Sequence, residues 1–165
     1  MITSELIFNG LLLFATLLVT GLLFTFALLV MPGLGKLDDR SFLRGFQEID
    51  GIIQRGYPVF GAVWLGSIVS LPAVTVMGFG QLGGWAQGLL VIATALYVLG
   101  VQLPTFRGNF PLNNRLQTLE LATMSELKIA EARRAFEPAW NRLNHFRTSI
   151  GLAVAMLLTV VLCMR

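Results

Sequence analysis

Charged residues are scarce in this sequence, and their scarcity argues against a soluble globular domain. Only 13% of the 165 residues are charged, whereas 55% are hydrophobic and the mean hydropathy is +0.74. Such a composition leaves too little polar surface for a water-soluble domain of this length. It indicates an integral membrane protein, and the lipid bilayer is the first partner that we predict.

Cysteine and histidine are also scarce, with one residue of each. Because Cys163 is alone, it can form neither an intrachain disulfide nor a cysteine cluster for zinc or iron–sulfur. Because His145 is alone, a haem held by two histidines of one chain is excluded, although a haem with a single axial ligand stays open. The sequence gives no indication that the acidic residues between 38 and 50 lie close to His145, and it contains no phosphate-binding glycine loop. We therefore expect no metal site and no cofactor.

Long apolar runs are what the sequence has instead. A hydrocarbon core of about 30 Å requires about 20 residues of helix, and none of the runs alternates as barrel strands do. Glu5 stands where a signal peptide would be basic, so we interpret the first run as a mature span. The predicted fold class is all-α, a four-transmembrane-helix bundle in which residues 1–165 form a single integral membrane domain, with spans at 6–31, 59–79, 85–103 and 148–164.

The basic residues are distributed very unevenly around these four runs. Eleven of the 12 lie in the connections 32–58 and 104–147, and the twelfth is Arg165. By the positive-inside rule, both long connections face the cytoplasm and both termini face outward from the cell (inner or plasma) membrane. The basic residues also attract anionic lipid, but their dispersal among glutamates argues against a nucleic-acid partner.

Both long connections carry helical patterns. In the first, an apolar stripe indicates an amphipathic helix that packs on the cytoplasmic end of the bundle: Phe42, Phe46, Ile49 and Ile53. In the second, a stripe from Leu116 to Ala130 favours one helix, whereas Thr123 followed by Glu126 favours a capping box that begins a new helix. Pro138 is expected to kink that helix or restart it.

Residues 138–151, just before the last apolar run, are unusually polar. With about 100° of rotation per residue, one side of this helix is apolar, formed by Leu143, Phe146 and Ile150. The other side is polar and holds Trp140, Asn141, Asn144, His145, Arg147 and Thr148. Because unsatisfied polar groups are costly against acyl chains, this side should line an interior cavity.

A second motif, Asn109-Phe-Pro-Leu-Asn113, follows the third run. Together with Trp140, Asn144 and Arg147-Thr148 before the fourth run, it resembles the anthrone oxygenase-like family of small four-helix membrane proteins. The Met31-Pro32 pair at the end of the first run is also similar to that family. The resemblance implies an oxygenase that converts a lipophilic anthrone or phenolic aromatic compound with dioxygen and no evident cofactor.

The chemistry implied by the resemblance needs a base, an oxyanion partner and exclusion of water. As catalytic residues we predict His145 as general base, with Arg147, Asn144 and Asn113 as partners of a substrate oxyanion or phenol. As substrate-binding residues we predict Trp140 for stacking, and Asn109, Gln102 and Thr148.

An alternative function is a non-enzymatic membrane module. In that case the chain is an accessory subunit of a membrane complex, a homo-oligomer or a binder of a lipophilic ligand, and the polar face docks a partner. His145 and Arg147 are then interfacial anchors, and Asn109 to Asn113 is a capped turn. A small transporter fits less well, because inverted repeats and charged midplane residues are not evident in the sequence.

Overall fold

The computed structural model describes residues 4–14 and 18–164, and every regular element in those ranges is a helix. The all-α prediction is therefore confirmed for the described residues. The helices, in chain order, are α1 Ser4–Phe14, α2 Thr20–Leu34, α3 Asp39–Gln54, α4 Pro58–Gly78, α5 Gly84–Gln117 and α6 Glu126–Cys163.

Three of the described helices, α4, α5 and α6, are long and apolar enough to cross a membrane. The first predicted span, 6–31, is covered by α1 and the shorter apolar helix α2, while residues 15–17 between them lie outside the described residues. The architecture is compatible with a membrane-embedded protein. The count of four spans and the cytoplasmic location of the connections stay predictions.

The last two long helices extend beyond their apolar runs, α5 past the end of its run and α6 before the beginning of its run. α5 continues through Pro104 and Pro111 to Gln117, and α6 begins at Glu126 and passes Pro138 without interruption. A new helix at Glu126 was one of the two predicted alternatives, but its N-cap is not the predicted residue, Thr123. The Thr123 hydroxyl donates to the Glu120 carbonyl at 3.0 Å, and Ser125 occupies the N-cap position.

Three widened π-helical turns occur in α2 and α5, at Phe26–Val30, Val98–Gln102 and Thr105–Asn109. Each ends two residues before a proline: Pro32, Pro104 and Pro111. A proline ring clashes with the carbonyl four residues earlier and supplies no N–H. That carbonyl lies inside the π turn in all three cases, so the widened turn gives a direct way to relieve the clash.

Small residues let the helices approach closely. A Cβ on Gly100 would lie 2.7 Å from Ile150, and one on Gly108 would lie 2.6 Å from Leu143, so the apolar flank of α6 packs directly on the α5 backbone. In α4, a Cβ on Gly66 would lie 2.5 Å from the Phe14 ring. Close packing of this kind holds helices together where lipid offers no hydrophobic drive for association.

The helix predicted from the Phe42–Ile53 stripe is α3. It begins at an N-cap, Asp38, whose carboxylate accepts the Ser41 backbone N–H at 3.0 Å. That bond lowers the pKa of Asp38 below its ordinary value. The buried face of α3 places Phe42, Leu43 and Phe46 against α6 and the end of α5.

Buried side chains form two clusters. The spanning core lies among α2, α4, α5 and α6 and includes Leu23, Trp64, Leu71, Leu90, Tyr97 and Leu158. The end cluster lies where α3, the end of α5 and the first half of α6 meet, and it includes Met31, Phe42, Phe46, Leu116, Phe136 and Trp140. Residues of both clusters contribute to the wall of one cavity.

Candidate functional site

The cavity has a volume of about 70 Å³ and is partly open to the outside. Five helices, α2 to α6, contribute to its wall, so it exists only when the connections pack on the bundle. Phe110, with 37% of its surface exposed, lies at its more open side. The polar part of the wall consists of Asp50, Thr105, Asn109, Asn113, Asn144 and Arg147.

Aromatic rings form the largest part of the apolar wall. Trp140 contacts Phe26 at 5.6 Å and Phe46 at 5.3 Å between ring centroids. On the opposite helix, Trp64 stacks on Phe60 with centroids 5.8 Å apart and planes 17° apart. Flat, polarisable walls of this kind suit a planar aromatic ligand. The aromatic lining residues are Phe26, Phe46, Phe60, Trp64, Phe110 and Trp140.

Arg147 is the only cation that described residues contribute to the cavity wall, and it is 4% exposed. Its guanidinium donates to the Thr105 hydroxyl at 2.8 Å and to the side-chain amide oxygen of Asn144 at 2.9 Å, both of which are neutral. Its Nε has no partner, and the ion pairs formed by described residues do not include it. A buried cation normally has a counter-ion, so Arg147 is the strongest electrostatic feature of the site.

Two further lining residues have buried polar atoms without a partner among the described residues. Asn109 is 2% exposed, and neither its amide nitrogen nor its amide oxygen is hydrogen-bonded. The indole N–H of Trp64 is also unpaired. Unpaired buried groups are rare in folded proteins and require an explanation, such as a water or a ligand. Four of the six such atoms among the described residues belong to lining residues, and the other two are the amide oxygens of Gln87 and Gln102.

Asp50 holds a third group of polar side chains. One carboxylate oxygen accepts the Asn113 amide at 2.7 Å, and the other accepts Gln54 at 2.7 Å and Gln117 at 2.9 Å. The Asn113 oxygen in turn accepts the Trp140 indole N–H at 2.9 Å. The orientation of the Asn113 amide is thereby determined on both sides, and the Trp140 ring is fixed in the wall.

Five of the predicted site residues line the cavity together: Asn109, Asn113, Trp140, Asn144 and Arg147. The other three do not. Gln102 donates to the Tyr97 hydroxyl at 3.0 Å inside the spanning core, and Thr148 donates to the Leu23 carbonyl at 3.2 Å. His145 is exposed and is not a lining residue.

The predicted site residues did not include Asp50, Thr105 or most of the aromatic wall. A usable pattern existed for Asp50, which follows Phe46 by four residues and so places a carboxylate on the apolar face of α3. Trp64 offered a weaker one, since tryptophan is enriched at the ends of spans rather than within them. Among the described residues, no three His, Cys, Asp or Glu side chains are grouped as a metal site.

The fold and cavity define a class of protein, an all-helical, membrane-compatible protein with an aromatic, cation-containing site at one end of its bundle. The family model described as anthrone oxygenase matches residues 51–157, more than half of the chain. The chain therefore belongs to the anthrone oxygenase family, which supports an oxygenase-like function at the family level. No curated protein and no solved structure matches it.

Proposed function

We propose that this protein oxidises a planar, lipophilic anthrone or related phenolic substrate with dioxygen, and that the substrate binds in the cavity between the two clusters. The observation that carries the proposal is the combination of six aromatic rings with unpaired buried donors around one buried cation. The cavity volume of about 70 Å³ is below the range of about 300–1,000 Å³ usual for ligand sites, so a three-ring substrate would have to extend through the open mouth of the cavity.

The reaction requires little of the protein. The methylene carbon of an anthrone loses two hydrogens and gains one oxygen atom from dioxygen, while the other oxygen atom leaves as water. The carbanion, which is conjugated with the carbonyl through the flanking rings, is itself able to reduce dioxygen, so we propose that no cofactor takes part. The residues that line the cavity would exclude water and stabilise the negative charge of the substrate anion. Arg147, Asn144 and Asn109 would lie near the substrate oxygen that carries this charge.

A cavity-filling substitution tests this proposal. Ile49 of α3 lines the cavity, whereas Ile52 on the same helix is 50% exposed. We expect Ile49→Trp to lose both substrate binding and turnover and Ile52→Trp to keep both. The measurement is dioxygen uptake by purified protein in detergent with an anthrone, together with anthraquinone formation, after subtraction of autoxidation in protein-free micelles.

The outcomes separate an enzyme from a binding protein. Turnover above background that is lost only in Ile49→Trp supports the proposal. Binding of the anthrone by the wild-type protein without any turnover would instead assign the cavity to a non-enzymatic module. Absence of both in a folded wild-type protein would contradict the proposed site.

We further propose that the cavity faces the cytoplasmic side of the cell membrane, with both termini outside. The uneven distribution of the basic residues supports this orientation. A lipophilic substrate would then reach the cavity from the bilayer near the half-exposed Phe110. A reporter fused after Arg165 should behave as external, and cytoplasmic activity of that reporter would reverse the orientation.

A further inference from the structure

We infer that the cavity takes up its ligand already ionised, as a phenolate or enolate with Arg147 as counter-ion, and that no side-chain base is required at the site. The inference rests on the proposed function only for the chemical class of the ligand. It concerns the protonation state in which that ligand binds, which can be measured without turnover.

The balance of charge in the wall favours an anion. Asp50 of α3 and Arg147 of α6 are the charged residues that line the cavity, and the lining residues of α2, α4 and α5 are not titratable. The Asp50 carboxylate already accepts three amide donors. The Arg147 guanidinium has only neutral acceptors. The negative charge of the wall is thus largely compensated, and the positive charge is not.

The unpaired atoms agree with the same ligand. The Arg147 Nε, the Asn109 amide nitrogen and the Trp64 indole nitrogen are all donors. Hydrogen bonds to an ionised acceptor are about twice as strong as bonds between neutral groups. A ligand oxygen that carries negative charge is therefore a better partner for these donors than a neutral hydroxyl. The unpaired Asn109 oxygen leaves one acceptor for a second, protonated hydroxyl of the ligand.

Uptake of the anion explains where the base chemistry takes place. The ligand loses its O–H or C–H proton to water before it binds, and the electron pair stays delocalised over the oxygen and the ring carbon. That carbon is then ready to react with dioxygen inside the cavity. The exposed position of His145, outside the cavity wall, is compatible with this order of events.

A chromogenic ligand makes the protonation state visible. A monohydroxy anthraquinone absorbs at longer wavelength when it is ionised, so its titration can be followed on the purified protein in detergent. We expect the wild-type protein to lower the apparent pKa of the bound anthraquinone hydroxyl by about 1 to 3 pH units relative to protein-free micelles, because an opposite charge at close range favours the ionised form. Arg147→Met should abolish the shift, whereas Arg142→Met, which removes an exposed cation on the same helix, should retain it.

A second measurement requires no variant. Affinity of the wild-type protein for the hydroxy compound should increase as the pH rises through the pKa of the free ligand, whereas affinity for its methyl ether should not change. Equal pH dependence of the two ligands, or an unshifted titration in the wild-type protein, would overturn the inference. A shifted titration in a protein that does not consume dioxygen would support the inference and contradict the proposed oxygenase function.

Discussion

Two arginines of α6, about four turns apart, show how differently the two ends of its polar face are used. Arg133 bonds to the carboxylates of Glu137 at 2.7 Å and Asp39 at 3.0 Å, and its guanidinium lies 4.4 Å from the centroid of the Phe42 ring. It also donates to the carbonyls of Leu37 and Gly35. Every nitrogen of its guanidinium therefore has a partner, and the Arg133 region ties α3 and the preceding turn to α6.

The Arg147 region is more deeply buried but less completely paired. Its guanidinium contacts a hydroxyl, an amide oxygen and the Trp140 ring, 5.9 Å from the ring centroid, and its Nε has no partner among the described residues. Burial of a cation without a counter-ion costs stability, whereas the paired Arg133 contributes to it. The difference indicates that the Arg133 region maintains the fold and that the Arg147 region is arranged for a ligand.

Removal of the Arg147 charge should have the largest effect on activity. We expect Arg147→Met to lower kcat by about 100- to 1,000-fold, the usual loss when one donor to a developing oxyanion is removed. Thermal stability should be unchanged or higher, because an unpaired buried charge is replaced by an apolar side chain of similar length. Loss of folding in Arg147→Met would show that this arginine is structural after all.

Removal of Arg133 should have the reverse effect. Arg133→Met leaves two carboxylates and two carbonyls without their donor. We expect it to destabilise the protein by about 2 kcal/mol, a value lower than for a fully buried ion pair because Asp39 and Glu137 are partly exposed. Activity per folded molecule should be retained. Thermal denaturation in detergent measures the effect, with the neighbouring exposed Arg134→Met as control.

The same contrast recurs on a smaller scale in two asparagines of α5. The Asn109 side chain has no hydrogen-bond partner in the described part of the chain, whereas Asn113 joins Asp50 to Trp140. Asn109→Leu should keep full stability but weaken binding of a hydroxylated ligand by about 3- to 10-fold, the value of one hydrogen bond. Asn113→Leu should cost about 1 to 3 kcal/mol of stability, because it leaves a carboxylate oxygen and an indole N–H unpaired.

The smallest effect is expected at His145. If the ligand binds as an anion, His145→Gln should change kcat/KM by less than about twofold over the accessible pH range, compared with the loss of about 100-fold or more that removal of a general base produces. A loss of that larger size, with disappearance of the acidic limb of the pH–rate profile, would support the prediction that His145 is the base.

Much of this arrangement follows from pattern alone. The amphipathic stripe predicts α3, and rotation of about 100° per residue places Trp140, Asn144 and Arg147 on one face of α6, where all three are buried. These predictions succeed because α3 and α6 are regular helices, so the spacing in the sequence is the spacing in space.

The same rule fails where the helix is irregular. Gln102 and Asn109 are seven residues apart and would share one face of a regular helix, but a π turn ends at each of them. Each widened turn reduces the rotation per residue, and Gln102 instead contacts Tyr97 in the spanning core. Spacing places the Asp50 carboxylate on the apolar face of α3, but its bonds to Asn113 and Gln117 depend on the packing of α3 against α5 and could not be inferred from it.

The prolines that accompany the π turns of α5 also limit how this protein can change. A residue inserted or deleted between Val98 and Pro111 would rotate Asn109, Phe110 and Asn113 about the helix axis by about 100° and turn them away from Arg147. Point substitutions do not change the orientation of these three residues about the helix axis. Divergence among related chains should therefore be tolerated at exposed side chains of this segment, such as Leu99 and Phe106, while its length stays constant.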